Sequence, residues 1–165
     1  MFIVDVIKKE DATGELKLLY KMIEHSLGFV PPHFELFASI DIEAMKEFAQ
    51  YNFKMMSHPK IDKNLLPFLR LEIAKRECRG YCINFNTQMV TKLIDGEKVP
   101  YNISQKLLLE KVLKSLYETQ IFTKDDLNAL EESGFSNRDF YDLLSYASNF
   151  MAKSKMIEVY LKKEA

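Results

Sequence analysis

The sequence predicts an all-α fold, and three observations carry that prediction. Apolar residues recur at three- and four-residue spacing through most of the chain. Helix-capping residues stand ahead of those runs, and glycine or proline follows several of them. Alternating apolar and polar runs of the kind a half-buried strand needs are few.

Met1 to Val6 is apolar but soon meets Lys8, Lys9, Glu10 and Asp11. Residues 1–10 therefore read as an extended N-terminal arm, not as the apolar core of a signal peptide. Asp11 or Thr13 caps a first helix carrying Leu16, Leu19, Tyr20, Ile23 and Leu27, and Gly28 closes it before Pro31 and Pro32. A short helix with Phe34, Phe37 and Ala38 follows. Asp41 caps the next, which carries Ile42, Met45, Phe48, Ala49, Asn52, Met55 and Met56 along one side and stops at Ser57-His58-Pro59.

From Asn64 to about Arg76 the apolar residues Leu65, Leu66, Phe68, Leu69, Leu71, Ile73 and Ala74 cover much of the circumference. That is the pattern of a central helix enclosed by neighbours, and Pro67 fits only in its first turn. Gly80 marks a break. A second central helix runs from near Cys82 to Leu93, so 64–94 forms a core helical hairpin, and a loop leads from Asp95-Gly96 to Pro100.

Asn102 or Ser104 opens a helix with Leu107, Leu108, Val112, Leu113 and Leu116. Thr123 with Asp126 makes a capping-box start for a short helix that ends at Gly134. Ser136 with Asp139 repeats the device and opens a last long helix through Phe140, Leu143, Leu144, Ala147, Phe150 and Met151 to about Leu161. Without an internal repeat or a Ser/Gly-rich linker, 1–165 reads as a single domain.

Composition removes several function classes. Lys+Arg number 23 against 24 Asp+Glu, which leaves no charge excess to draw in nucleic acid or an anionic membrane. The longest apolar runs, such as Leu107 to Leu109, fall far short of the roughly 20 residues that span a bilayer. Two cysteines without a secretory signal point to reduced thiols in the cytoplasm. His25, His33 and His58 stand singly, with no spacing that pairs them with a cysteine for zinc, and read as surface or capping residues. No metal or cofactor is implied. The few glycines form no phosphate cradle.

The segment that carries chemistry is Glu77-Cys78-Arg79-Gly80-Tyr81-Cys82-Ile83-Asn84-Phe85-Asn86-Thr87. A thiol in the first turn of a helix faces unpaired backbone N–H groups and the positive end of the helix dipole, both of which favour thiolate. Cys82 is thus the candidate reactive thiol and Cys78 a possible resolving one. Asn86, four residues on and on the same face, can orient a ligand or water but cannot shuttle protons. Arg79, if turned toward the thiol, stabilises its charged form. Burial in the core is the alternative reading of both cysteines, since cysteine is among the most often buried residue types.

At these residues the chain resembles alkylhydroperoxidase D-like (AhpD-like) and carboxymuconolactone decarboxylase-like proteins. Ala12-Thr13-Gly14-Glu15-Leu16 leading to Leu19-Tyr20, and then Leu27-Gly28-Phe29-Val30-Pro31, resembles their opening. Leu65 to Val90, with Tyr81-Cys82-Ile83 inside it, resembles their core hairpin. Phe122-Thr123-Lys124-Asp125-Asp126-Leu127, continuing through Gly134-Phe135-Ser136 to Asn149-Phe150, is similar to the ending of the peroxidase-related branch.

The resemblance implies an AhpD-like helical domain and an active pattern of Glu, CxxC and His that reduces peroxide and closes a disulfide. Cys82 falls on the second cysteine of that pattern, Arg79 on the first, Asn86 on the histidine and Pro67 on the glutamate. Cys78 gives CxxxC, and Glu72 lies five residues beyond the expected carboxylate. The resemblance further implies a homo-oligomer, trimeric or hexameric.

Three functions follow as expectations. The first is residual thiol-dependent peroxidase activity through Cys82, with a thiol reductant as partner. The second is a catalytically silent oligomer that binds a ligand or partner. The third is lactone decarboxylation, for which His33 and Arg79 are the nominal charged candidates.

Overall fold

The computed structural model describes residues 1–94, 96 and 98–162. They fall into two compact units, one of residues 1–53 with 159–162 and one of residues 54–158. In the loop expected from Asp95 to Pro100, Asp95 and Glu97 lie outside the described residues.

The first unit is built on α1 (Gly14–Leu27), α2 (Pro32–Ile40) and the greater part of α3 (Ile42–Met56). Gly28 ends α1 in the left-handed region at φ 82°, which lets its N–H reach the Glu24 carbonyl at 2.7 Å. Asp41 caps α3, its Oδ1 accepting from the backbone N–H groups of Glu43 at 3.0 Å and Ala44 at 3.1 Å. Tyr20, Ile23, Leu36 and Met45 are fully enclosed.

The N-terminal arm is stitched down by hydrogen bonds. Ile7 donates its N–H to Ser39 Oγ at 2.7 Å, and Tyr20 donates its hydroxyl to the Ile7 carbonyl at 3.0 Å. The buried Glu35 accepts from Lys8 Nζ at 2.8 Å and the Lys9 backbone at 3.2 Å. A 3-10 turn over Lys9–Asp11 and an antiparallel bridge from Phe2 to Leu161 complete it. Neither was signalled by periodicity, because a single turn and a single bridge are too short to show one.

The second unit holds α4 (Leu65–Arg76), α5 (Gly80–Thr91), α6 (Ile103–Tyr117), α7 (Lys124–Glu132) and nearly all of α8 (Asn137–Tyr160). α4 is its central element, with Leu65, Leu66, Pro67, Leu69, Leu71, Ile73 and Ala74 all buried. It packs with α5 as the expected hairpin. Leu108, Val112, Leu130, Leu143 and Ala147 are buried in the same unit, and each such leucine stabilises the fold by about 2 kcal/mol through lost apolar exposure.

Three caps of this unit match the sequence reading, whereas Thr13, at the head of α1, makes no side-chain cap hydrogen bond and Asp11 lies in the 3-10 turn before it. Asn102 Oδ1 accepts from the Gln105 backbone at 2.9 Å. Thr123 and Asp126 form a full capping box, and Lys111 and Lys114 of α6 bind the same buried carboxylate at 2.5 and 2.8 Å, tying α6 to α7. Those two ammonium groups, with the Thr123 backbone, hold Asp126 well below the usual carboxylate range. Ser136 donates its N–H to Asp139 Oδ2 at 2.7 Å at the head of α8.

Candidate functional site

The site is the turn between α4 and α5, and it begins as a helix ending. Arg79 donates its N–H to the Ala74 carbonyl at 2.9 Å, and Cys78 donates its own to the Lys75 carbonyl at 3.2 Å. This is the bond pair of a Schellman motif. The motif places its penultimate residue in the left-handed region, usually a glycine, and Cys78 occupies it at φ 53°. Cys78 is therefore exposed at the rim of the turn, while Cys82 is buried, and both are free thiols.

Cys82 lies in the first turn of α5, where the sequence placed it, but its chemistry is the reverse of that expected. Burial, and after it the carboxylate of Glu158, push the thiol up to about 12, against the opposing guanidinium groups of Arg70 and Arg79. The magnitudes explain the outcome. A helix terminus is worth about 0.3–1 kcal/mol to a nearby charge, less than the roughly 1.4 kcal/mol of a single pKa unit. With Cys82 only 3% exposed, the desolvation cost of a thiolate is larger than that. Arg79 does act on the thiol in the expected direction, but it is the weaker effect.

Asn86 was expected to face a ligand or water. Instead it is 1% exposed and engaged at both ends of its amide. Its Nδ2 donates to the Cys82 carbonyl at 2.9 Å, and its Oδ1 accepts from Arg70 Nε at 2.8 Å. Arg70 in turn donates to the Tyr146 hydroxyl on α8 at 2.5 Å. Arg70 and Tyr146 were not singled out from the sequence. Their separation from Asn86, by 16 and 60 residues in the chain, leaves no local spacing to reveal them.

Arg79 pairs with Glu77 at 3.5 Å, and Arg76 lies over the Tyr117 ring with its guanidinium carbon 5.1 Å from the centroid. Tyr117 has a buried hydroxyl beside the Glu77 carboxylate. Burial and that charge push it up to about 12. Pro67 is buried in the first turn of α4, and Glu72 pairs with Lys75 at 3.2 Å.

The histidines divide. His58 does cap a turn, its Nδ1 accepting from the backbone N–H groups of Lys60 at 3.2 Å and Ile61 at 3.1 Å. His25 is exposed. His33 corrects the surface reading, since it is buried in the first unit against Phe34, Phe37 and Phe48. Among the described residues no group of three or more His, Cys, Asp or Glu is placed to hold a metal ion, and no helix is long and apolar enough to cross a membrane.

The described residues form an all-α frame with α4 and α5 packed as a helical hairpin. Neither a family model nor a curated protein matches the chain. Solved structures do. A peroxidase-related protein from Silicibacter sp. TM1040 matches at a TM-score of 0.71 and 18% identity, over 95% of this chain and 85% of the other. An alkylhydroperoxidase AhpD core, a peroxidase-related protein from Ralstonia eutropha JMP134, matches at 0.70 and 17%, over 95% and 88%. The fold of this chain is the AhpD-like fold.

Proposed function

We propose that the chain is an AhpD-like, peroxidase-related protein in which the thiol centre has become structural. What supports this reading is the Arg70–Asn86–Cys82 network. Asn86, at the position where the resemblance implies the relay histidine, has both ends of its amide taken by hydrogen bonds, and the neighbouring Cys82 is buried. Peroxide reduction needs a thiolate as nucleophile and an acid to protonate the departing oxygen. Cys82 is held as a neutral thiol, and an amide engaged at both ends delivers no proton.

One observation favours slow single-thiol turnover as a second reading. Arg70 and Arg79 both stabilise a Cys82 thiolate, so a motion that admits water would lower its pKa. In that case the outside reductant is a thiol.

The deciding experiment is hydroperoxide consumption by the purified full chain, with and without a dithiol reductant, beside Cys82→Ala. The expected result is no consumption above that variant. Rapid turnover that depends on Cys82 would overturn the proposal.

A further inference from the structure

The connection from α3 to α4 turns on His58. Its Nδ1 accepts from the backbone N–H groups of Lys60 at 3.2 Å and Ile61 at 3.1 Å, two and three residues on. An asparagine or aspartate side-chain oxygen holds turns in the same way. A histidine differs in one respect, because its ring nitrogen accepts only while it carries no proton. The two bonds therefore select the neutral ring with its proton on Nε2.

That second nitrogen meets negative charge. Nε2 lies 3.6 Å from Asp142 Oδ2 and 3.8 Å from Asp139 Oδ1, both on α8. Lys60, on the same turn, pairs with Asp139 at 3.5 Å, and Arg138 pairs with Asp142 at 3.0 Å. Despite burial, bonds from Ser136 and the charge of Lys60 hold Asp139 below the usual carboxylate range, so it stays ionised where a histidine ordinarily titrates, at about pH 6.5. The turn has other fastenings. Gln105 of α6 donates from Nε2 to the Lys60 carbonyl at 2.6 Å and accepts at Oε1 from the Asp62 N–H at 3.2 Å, while Lys60 Nζ donates to the Gly134 carbonyl at 3.0 Å. Of the side chains that fasten this turn, His58 is the one of a type that changes charge near neutral pH.

We propose that His58 is a pH-sensitive catch on the turn between α3 and α4. Neutral, it holds the Lys60 and Ile61 amides. When a solvent proton binds Nδ1, that nitrogen becomes a donor facing two donors, both bonds break, and the new charge of the ring is met by Asp139 and Asp142. Acid thus moves His58 from fastening its own turn to pairing with α8, and leaves the turn to Gln105 and Lys60.

Nuclear magnetic resonance on the isotope-labelled full chain tests it. At neutral pH His58 Nδ1 is expected to give the signal of an unprotonated ring nitrogen. As pH falls, the Lys60 and Ile61 amide signals should follow the titration of the ring, and their hydrogen-exchange protection, corrected for the intrinsic pH dependence of exchange, should drop roughly fivefold. In His58→Asn, whose Oδ1 can keep both bonds and takes up no proton, the same protection should stay level. A proton on Nδ1 at neutral pH, amides that do not follow the ring, or an equal loss of protection in His58→Asn overturns the proposal, and the first two are read on the unmodified chain alone.

Discussion

Two sulfurs four residues apart meet opposite fates. Cys78 stands at the rim of a helix ending, exposed and in a backbone conformation that suits glycine. Cys82, one turn on, is buried and kept protonated, chiefly by desolvation. The contrast shows that a position in the first turn of a helix does not by itself make a thiol reactive. Desolvation outweighs the helix terminus, and only access to solvent lets the favourable field act.

The largest effect that separates the two is a rate. With an alkylating reagent near neutral pH, Cys78 is expected to react readily, while Cys82 in a Cys78→Ser background reacts roughly 10³-fold more slowly than a free thiol, whose pKa is about 8.5. The sign with pH follows from the raised value. Cys82 reactivity should keep climbing beyond the point where a free thiol has levelled off, toward a midpoint near 12. A Cys82 profile that levels off near 8.5 would erase the contrast.

Next in size is the network that holds the interior. Arg70→Met removes the donor to both Asn86 and Tyr146, leaving Asn86 Oδ1 buried without a partner. We expect a loss of about 2 kcal/mol, read from denaturant midpoints. A change within about 0.5 kcal/mol, the range of ordinary surface substitutions, would show that the interior does not depend on this guanidinium.

The smallest effect lies at the rim. Cys78→Gly relieves the cost of the left-handed conformation and should stabilise the fold by about 1 kcal/mol. Destabilisation there would mean that the exposed sulfur makes contacts that offset its strain.

Legibility in the sequence followed the range of the interaction. Asp41, Asn102, Thr123 with Asp126 and Ser136 with Asp139 cap the helices they were expected to cap, because a cap acts within three residues. The broad apolar surface of α4 likewise announced a central helix. What stayed hidden acts across the chain. Arg70 reaches Asn86 and Tyr146 from another helix, the charge of Glu158 on α8 acts on Cys82, and His33 is buried by an aromatic cluster. Cys82 stands in the first turn of α5 as expected, but its electrical character depends on partners with no sequence proximity.

The bond from Arg70 to Asn86 also constrains what position 86 can hold. A histidine at position 86 would set an imidazole against a guanidinium that only donates. The ring would have to present a lone pair to it, and a second positive charge there would be repelled. A proton carrier at this position therefore works against Arg70, and relaxing that opposition means changing Arg70 alongside.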